Sequence, residues 1–183
     1  MGPPFLSFKA LPPASVLAEL EGSVRALGLD LSLPHVFDPQ RWHQSISTPV
    51  EVYPGLLERM LRVGDRIGAT VFTLVFDHLI GTAAGEGGIH WTLPARRPLP
   101  PAFKALVNEV AGQLRLEGVP EPHGHSAHIT ISYEAPHALV RQAITPVAWP
   151  IDNIALVQRG GSRPGYEILR RWPLRPDAQR ELW

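Results

Sequence analysis

The 183-residue sequence contains no cysteine. This absence excludes disulfide bonds, thiolate metal sites and a cysteine nucleophile. The sequence also lacks an excess of either charge, with 17 Lys and Arg residues against 17 Asp and Glu residues. Because its formal net charge is zero, the protein has no broad cationic surface, and a nucleic-acid partner would have to bind at a local site.

Long apolar runs are missing as well. No stretch approaches the roughly 20 apolar residues of a membrane-spanning helix, and the opening MGPPFLSFKA has no basic segment followed by an apolar core. We therefore expect a soluble, cytoplasmic protein with no membrane partner. Apolar residues make up 44% of the chain and charged residues 19%, which is typical of a globular protein and not of a disordered one.

Twenty prolines and sixteen glycines divide the sequence into short segments of alternating type. The hydrophobic spacing predicts helices at residues 12–27, from residue 54 onward, at 100–116 and, as a short helix, at 136–143. It predicts strands at residues 5–10, 42–52, 70–80, 87–93, 127–133, near 147–159 and at 166–172. The connections after Phe76 and Leu156 are typical of tight turns, so we expect hairpins and an α+β fold with antiparallel or mixed sheets.

Two tetrapeptides share one pattern, His43-Gln44-Ser45-Ile46 and His128-Ile129-Thr130-Ile131. In each, a histidine is followed two positions later by a hydroxyl residue, within a predicted strand. Alternate residues of a strand point to the same face, so each imidazole shares a face with its hydroxyl. The order strand, helix, strand with a histidine occurs twice, which predicts two half-domains with both motifs at one cleft.

This pattern has a defined chemistry. An imidazole exchanges a proton near neutral pH, and a hydroxyl can donate a hydrogen bond to an anionic oxygen. Two such units around a phosphodiester supply a general base, a general acid and two donors, without a metal or a covalent intermediate. Opening a 2′,3′-cyclic phosphate removes a proton from water while another reaches the departing ribose oxygen, so two histidines are needed.

The paired motifs resemble the signature of the two-histidine (2H) phosphoesterase superfamily, in its LigT-like branch of 2′-5′ RNA ligases and RNA 2′,3′-cyclic phosphodiesterases. The family carries two His-x-Thr/Ser-apolar motifs, and the 85 positions between His43 and His128 are typical of their separation. The opening FLSFKALPP is similar to the family's first strand and Pro-led helix. The segments Tyr166-Glu167-Ile168-Leu169 and Trp172-Pro173-Leu174 are similar to its closing strand.

The resemblance implies one domain over residues 1–183, made of two interleaved lobes with pseudo-two-fold symmetry around a central cleft. It implies that His43 and His128 are catalytic and that Ser45 and Thr130 bind the phosphate. In the family's usual scheme, His128 would activate the nucleophile and His43 would protonate the leaving oxygen, although the residues alone leave this assignment open. The implied activity is a metal-independent cyclic phosphodiesterase without a cofactor, with reversible 2′-5′ RNA ligation as an accompanying reaction.

Two departures from the family bear on the substrate. Ser45 stands where threonine is commoner, and it keeps the hydroxyl. Ser132-Tyr133 follows the second motif, where many RNA-processing members have a basic residue. With zero net charge as well, we expect small cyclic nucleotides or short oligonucleotides as substrates as readily as RNA 3′ ends. We also expect a monomer that does not bind DNA.

Aromatic and histidine residues near the motifs leave alternatives open. Tyr133 and Trp42 flank the motifs and are candidates for stacking on a base, with core packing as the alternative. One rival function is a non-catalytic RNA or nucleotide binder of the same fold. The other is a metallohydrolase built on His123, His125 and His128, a cluster that has no fourth ligand or carboxylate partner nearby in sequence.

Overall fold

A single antiparallel sheet carries most of the ordered chain. The computed structural model describes residues 2–83, 88–121, 125–160 and 165–176. Over these ranges the helices are α1 (Ala14–Arg25), α2 (Leu56–Asp65) and α3 (Pro101–Leu116). The nine strands are β1 (Phe5–Ala10), β2 (Gln44–Ser45), β3 (Val50–Glu51), β4 (Phe72–Ala83), β5 (Ile89–Pro94), β6 (His128–Ser132), β7 (Leu139–Ile151), β8 (Asn153–Arg159) and β9 (Tyr166–Pro173).

The order of the strands shows how the sheet is divided. It runs β7-β4-β5-β6-β2-β1-β8-β9, with β3 also beside β1, and the paired strands are antiparallel. The β2–β6 pairing has four strands on its β6 side and four on its β2 side along this path. We propose that this pairing divides one domain into two lobes. The chain would build β1 to β3 of one lobe, then β4 to β7 of the other, and return for β8 and β9.

Apolar side chains pack between the sheet and the helices. The buried residues of α3 are Phe103, Leu106, Val107, Val110 and Leu114. Phe103 meets Phe72 of β4 edge to face, with ring centroids 5.8 Å apart. In β4, Phe72, Leu74 and Phe76 alternate with partly exposed residues, as expected of a strand with one face in the core. This burial stabilises the packing of α3 on β4.

Much of the predicted secondary structure is confirmed. The strand at residues 5–10 and the helices that begin near residues 12, 54 and 100 are present. The segments at 70–80 and 87–93 form a hairpin in which Ala83 pairs with Ile89. The strands at 127–133 and 166–172 correspond to β6 and β9. The antiparallel α+β fold class is therefore correct.

The predicted turns after Phe76 and Leu156 are wrong in position. Both residues lie inside strands, opposite Val147 and Arg170 respectively. The hairpin connections come later, after Ala83 and after Arg159. Two segments, 84–87 and 161–164, fall in these connections and lie outside the described residues.

The prediction of one strand over residues 42–52 is also wrong. The segment forms only β2 and β3, two residues each. The backbone N–H of Thr48 donates to the Glu121 carboxylate at 2.9 Å instead of to a strand. Pro49 follows and has no N–H to donate, so the ladder is interrupted between β2 and β3.

The short helix predicted at residues 136–143 is wrong as well, because strand β7 begins at Leu139. Pro136 suggested a helix start, but pairing with the distant strand β4 decides the structure. Leu139 lies opposite Gly81, where a Cβ would meet the Leu139 backbone nitrogen at 2.6 Å. Gly81 therefore allows the close approach of β7, which is an edge strand and tolerates Pro146 and Pro150.

Gln44 links the chain around both motifs at the β2–β6 pairing. Its side chain is fully buried. Its amide nitrogen donates to the carbonyl oxygens of Ser45 (2.8 Å) and Ser126 (3.1 Å), and its amide oxygen accepts from the His128 backbone N–H at 2.8 Å. One side chain thus satisfies backbone groups of both motifs, and it fixes where β6 begins relative to β2.

Replacing Gln44 by methionine should lower the free energy of unfolding by about 2–4 kcal/mol, since each buried polar group left unpaired costs about 1–3 kcal/mol. Urea denaturation measures this change. Gln40→Met is the matched control, because Gln40 is exposed and its side chain forms no hydrogen bond with another described residue. Equal stability of the two variants would show that Gln44 does not hold the junction.

Gly64 of α2 is the second packing constraint. A Cβ there would overlap the indole of Trp172 in β9. Gly64→Ala should therefore destabilise the protein by about 1–3 kcal/mol, the usual cost of overpacking. Gly22→Ala in α1 is the matched control, since an added Cβ meets nothing within 4 Å and should stabilise by up to about 1 kcal/mol. Thermal unfolding of both variants tests the prediction, which fails if both changes have the same sign.

Candidate functional site

The two sequence motifs lie on neighbouring strands. Gln44 pairs with Ile129 in antiparallel register. Continuing that register places His43 opposite Thr130 and Ser45 opposite His128, and directly opposed residues point to the same face. Gln44 and Ile129 are fully buried on the other face, whereas the four motif side chains are all partly exposed. The two His-x-hydroxyl units therefore share one face of the sheet.

His43 is held by three neighbours. Its Nδ1 lies 2.8 Å from the Arg41 carbonyl oxygen, which can only accept, so Nδ1 carries the proton and donates. Its Nε2 is then the acceptor, and the Lys9 ammonium lies 2.6 Å from it. The Tyr166 hydroxyl lies 3.4 Å from Nδ1, with the two rings edge to face.

These surroundings keep the His43 imidazole uncharged. Burial, followed by the positive charge of Lys9, lowers the pKa of His43 from 6.5 to about 3, against the opposing effect of the Arg41 carbonyl. Smaller contributions to this lowered pKa come from His128 and Arg159. At neutral pH, His43 is therefore a neutral imidazole whose Nε2 faces the Lys9 side chain.

Lys9 and Tyr166 are site residues that the sequence reasoning missed. Lys9 lies in β1 opposite Ser45, and only 5% of it is exposed. Its ammonium also lies 3.4 Å from the Tyr166 hydroxyl and 4.4 Å from the centre of the Tyr166 ring. Burial, then the charges of Arg159 and Arg41, lowers the pKa of Lys9 from 10.5 to about 7. A lysine inside the apolar strand FLSFKA was the signal that could have indicated it.

His128 has a different environment. Its Nδ1 lies 2.9 Å from the Ser126 hydroxyl and 3.2 Å from the Ser126 carbonyl oxygen, which favours a proton on Nδ1. Burial lowers the pKa of His128, with further lowering by His125 and His90 and an opposing effect of the Ser126 carbonyl. Within the described ranges no residue hydrogen-bonds its Nε2. The lone pair on that nitrogen can therefore accept a proton from a ligand or water.

The Ser45 and Thr130 hydroxyls face the same space. Both residues are partly exposed. Neither hydroxyl forms a hydrogen bond with another residue of the part of the chain that the structure describes. Each is therefore free to donate to an anionic oxygen.

The two candidate stacking residues lie in different surroundings. Tyr133 is 49% exposed, and its ring meets the edges of Phe37 and His90. Trp42 is 1% exposed, and its indole N–H donates to the Phe37 carbonyl oxygen at 3.1 Å. The structure thus puts Trp42 in the core, the alternative that its sequence position left open, and it leaves Tyr133 as the aromatic ring that a base can reach.

The histidine cluster of the metallohydrolase alternative falls partly outside the described residues, since His123 does. The expectation that this cluster has no carboxylate nearby in sequence is wrong, because His125 lies 3.4 Å from the carboxylate of Glu121. The same carboxylate accepts from the backbone N–H and hydroxyl of Thr48. Burial alone would raise the pKa of Glu121, but the hydrogen bonds from His125 and Thr48 lower it. The described ranges contain no group of three His, Cys, Asp or Glu residues placed to hold a metal ion.

A cavity of about 1010 Å³ adjoins the second motif. Ser126 and His125 form one side of it, and Arg97, Phe103 and Asn108 line the remainder with neighbouring residues. Ser126 therefore lies between this cavity and the His128 imidazole.

No helix of the described residues has the length and apolar character needed to cross a membrane.

Comparison with known proteins identifies the fold. No protein-family model and no curated protein matches the chain. E. coli LigT complexed with 3′-AMP matches with a TM-score of 0.77 at 20% identity, over 94% of this chain and 99% of that chain. A structure described as a phosphoesterase matches with a TM-score of 0.77 at 19% identity, over 95% and 99%. A protein of Thermus thermophilus matches with a TM-score of 0.72 at 20% identity, over 94% and 99%. The fold expected from the paired motifs is thus confirmed, and the chain has the LigT fold.

Proposed function

We propose that this protein is a metal-independent phosphodiesterase that opens 2′,3′-cyclic phosphates of nucleotides or RNA ends. The observation that carries the proposal is the antiparallel pairing of β2 with β6, which gives His43, Ser45, His128 and Thr130 one common face. Two imidazoles and two free hydroxyls are the groups that such a reaction requires. The LigT fold, found in a structure described as a phosphoesterase, supports the same class of activity.

The reaction uses the two motifs on opposite sides of the phosphorus atom. His128 takes a proton from water through its Nε2 while the water oxygen forms a bond to phosphorus. The bond from phosphorus to one ribose oxygen breaks, and the first motif delivers a proton to that oxygen. Ser45 and Thr130 donate to the non-bridging oxygens, whose negative charge grows in the transition state. With the 5′-hydroxyl of a second nucleotide in place of water, the same proton transfers would form a 2′-5′ phosphodiester as the 3′ oxygen leaves the phosphorus, so reversible 2′-5′ ligation is an accompanying activity.

The substrate class follows from the space and charge around the motifs. E. coli LigT has been crystallised with 3′-AMP, ATP and NADP+, all of them nucleotides. In this chain the cavity beside Ser126 has the size of a typical small-ligand site, roughly 300–1,000 Å³. Tyr133 offers an exposed ring for stacking. These features favour mononucleotides and short oligonucleotides, held at a local site, with no cofactor required.

The test is incubation of the full chain with 2′,3′-cyclic nucleotides and cyclic-phosphate-ended oligonucleotides in the presence of a chelator, with products separated by chromatography. His43→Ala and His128→Ala should each lower kcat/KM by about 10²–10⁴-fold, the usual contribution of a general acid or base. His35→Ala is the matched control, because the His35 side chain is exposed and pairs with Glu134.

Three outcomes would contradict the proposal. Wild-type turnover in the variant lacking both histidines would remove them from the mechanism. Loss of activity with chelator and its recovery with zinc would favour a metallohydrolase. Nucleotide binding without product at every pH would favour a non-catalytic binder of the same fold.

The hydroxyl of Thr130 should contribute to the rate separately from the histidines. Thr130→Val keeps the shape of the side chain and removes the donor, so kcat should fall by about 10–10³-fold with a smaller change in KM. Ser45→Ala should behave in the same way. Thr73→Val, in β4 and away from the motifs, should leave kcat unchanged. An unchanged kcat in both motif variants would show that the hydroxyls do not stabilise the transition state.

A further inference from the structure

The Lys9 ammonium has no role in the two-motif reaction, yet the structure places it at the centre of the site. It lies 2.6 Å from the Nε2 atom of His43, the nitrogen through which His43 would transfer a proton in the proposed reaction. It also lies opposite Ser45 across the β1–β2 pairing, on the face that carries both motifs. A residue in this position affects whatever binds between the motifs.

Among the described residues, the charged groups that act on Lys9 are all positive. The charged groups that act on it are two further cations, Arg41 from the turn before β2 and Arg159 from β8. The remaining polar groups that face it are neutral, namely His43 and the Tyr166 hydroxyl from β9. Burying an ammonium beside other cations is unfavourable, because both desolvation and repulsion oppose its charge. Within the part of the chain that the structure describes, Lys9 thus has no acidic partner.

We propose that Lys9 is the anion ligand of the site and binds a phosphoryl oxygen of the substrate between the two motifs. This inference rests on the proposed function, and it names the group that recognises the charge of the substrate. The ligand class is a phosphate ester or another tetrahedral oxyanion. Such an anion places a negative charge next to the Lys9 ammonium, where the described residues place none.

Anion binding at Lys9 would also change the proton affinity of His43. In the ligand-free protein the ammonium on Nε2 opposes a proton on the same imidazole, and the pKa of His43 is accordingly low, about 3. An anion that draws the ammonium away from Nε2 and adds negative charge raises that pKa. His43 can then carry the proton that the leaving ribose oxygen receives. Recognition of the phosphate thus prepares the acid of the first motif.

The experiment measures binding of inorganic sulfate, which keeps its charge across the pH range used, by isothermal titration calorimetry. Wild-type affinity should fall by about 10-fold for each pH unit above about 7, as Lys9 loses its proton. Lys9→Arg keeps its charge at high pH, so its affinity should not show this fall above pH 7. Lys9→Met should bind sulfate about 10–100-fold more weakly at pH 6, since a charge-assisted hydrogen bond is lost.

A second measurement reports on the protonation of His43 and does not depend on a change in sulfate affinity. The ¹⁵N chemical shifts of the His43 ring should show a neutral imidazole at about pH 5 in the wild type, since its pKa lies near 3. Saturating sulfate should raise the pKa of His43, and so should Lys9→Met without sulfate. Arg115→Met removes an exposed cation of α3 and should change neither the affinity nor the ring shifts.

The inference is overturned if wild-type protein does not bind sulfate, if its affinity is independent of pH, or if Lys9→Met binds as tightly as the wild type. Circular dichroism confirms that the variants fold; should Lys9→Met not fold, the wild-type pH profile and Lys9→Arg still decide. Failure of the proposed function has another signature. If no cyclic phosphate is cleaved but sulfate binding depends on Lys9, the anion site stands and the enzymatic reaction does not.

Discussion

The site depends on one backbone pairing, that of β2 with β6. It is short, with Gln44 opposite Ile129 as its register pair, and the buried Gln44 side chain extends it by bonding to backbone groups of both motifs. Because side chains alternate along strands, a slip of one residue would turn one histidine and its hydroxyl into the core. A single buried amide thus sets the register that both lobes share.

The two histidines occupy different electrostatic environments despite their similar motifs. His43 lies against an ammonium, with its Nδ1 bonded to a carbonyl, whereas His128 lies against the Ser126 hydroxyl and carbonyl groups and keeps Nε2 available. Burial lowers both pKa values, and the extra cation separates them. Groups of one type with different environments take different proton-transfer roles. By itself this asymmetry leaves His43 without a proton on Nε2, so the role of the first motif as the acid depends on the rise in the pKa of His43 that an anion at Lys9 would cause.

The sequence predicts the parts of this molecule that depend on local pattern. The helices, the hairpin of β4 and β5, and the spacing of His43 and His128 follow from periodicity and motif. The parts set by distant partners do not: β7 forms at Leu139 because Gly81 admits it, and the strand after β2 breaks because Glu121 takes the Thr48 N–H. Lys9 belongs to this second group. Its role depends on a histidine 34 positions away, which only the folded sheet brings near.

Charge balance over the whole chain and charge imbalance at the site together bear on the size of the ligand. Equal numbers of acidic and basic residues give no long-range field to attract a polyanion. Lys9, Arg41 and Arg159 nevertheless concentrate positive charge where the motifs meet. Partly buried charges are screened less by salt than surface charges, so an anion bound there depends on local contacts. Under the proposed function, a long RNA would therefore gain little beyond its terminal phosphate, and the binding energy would come from that phosphate and the nucleoside attached to it.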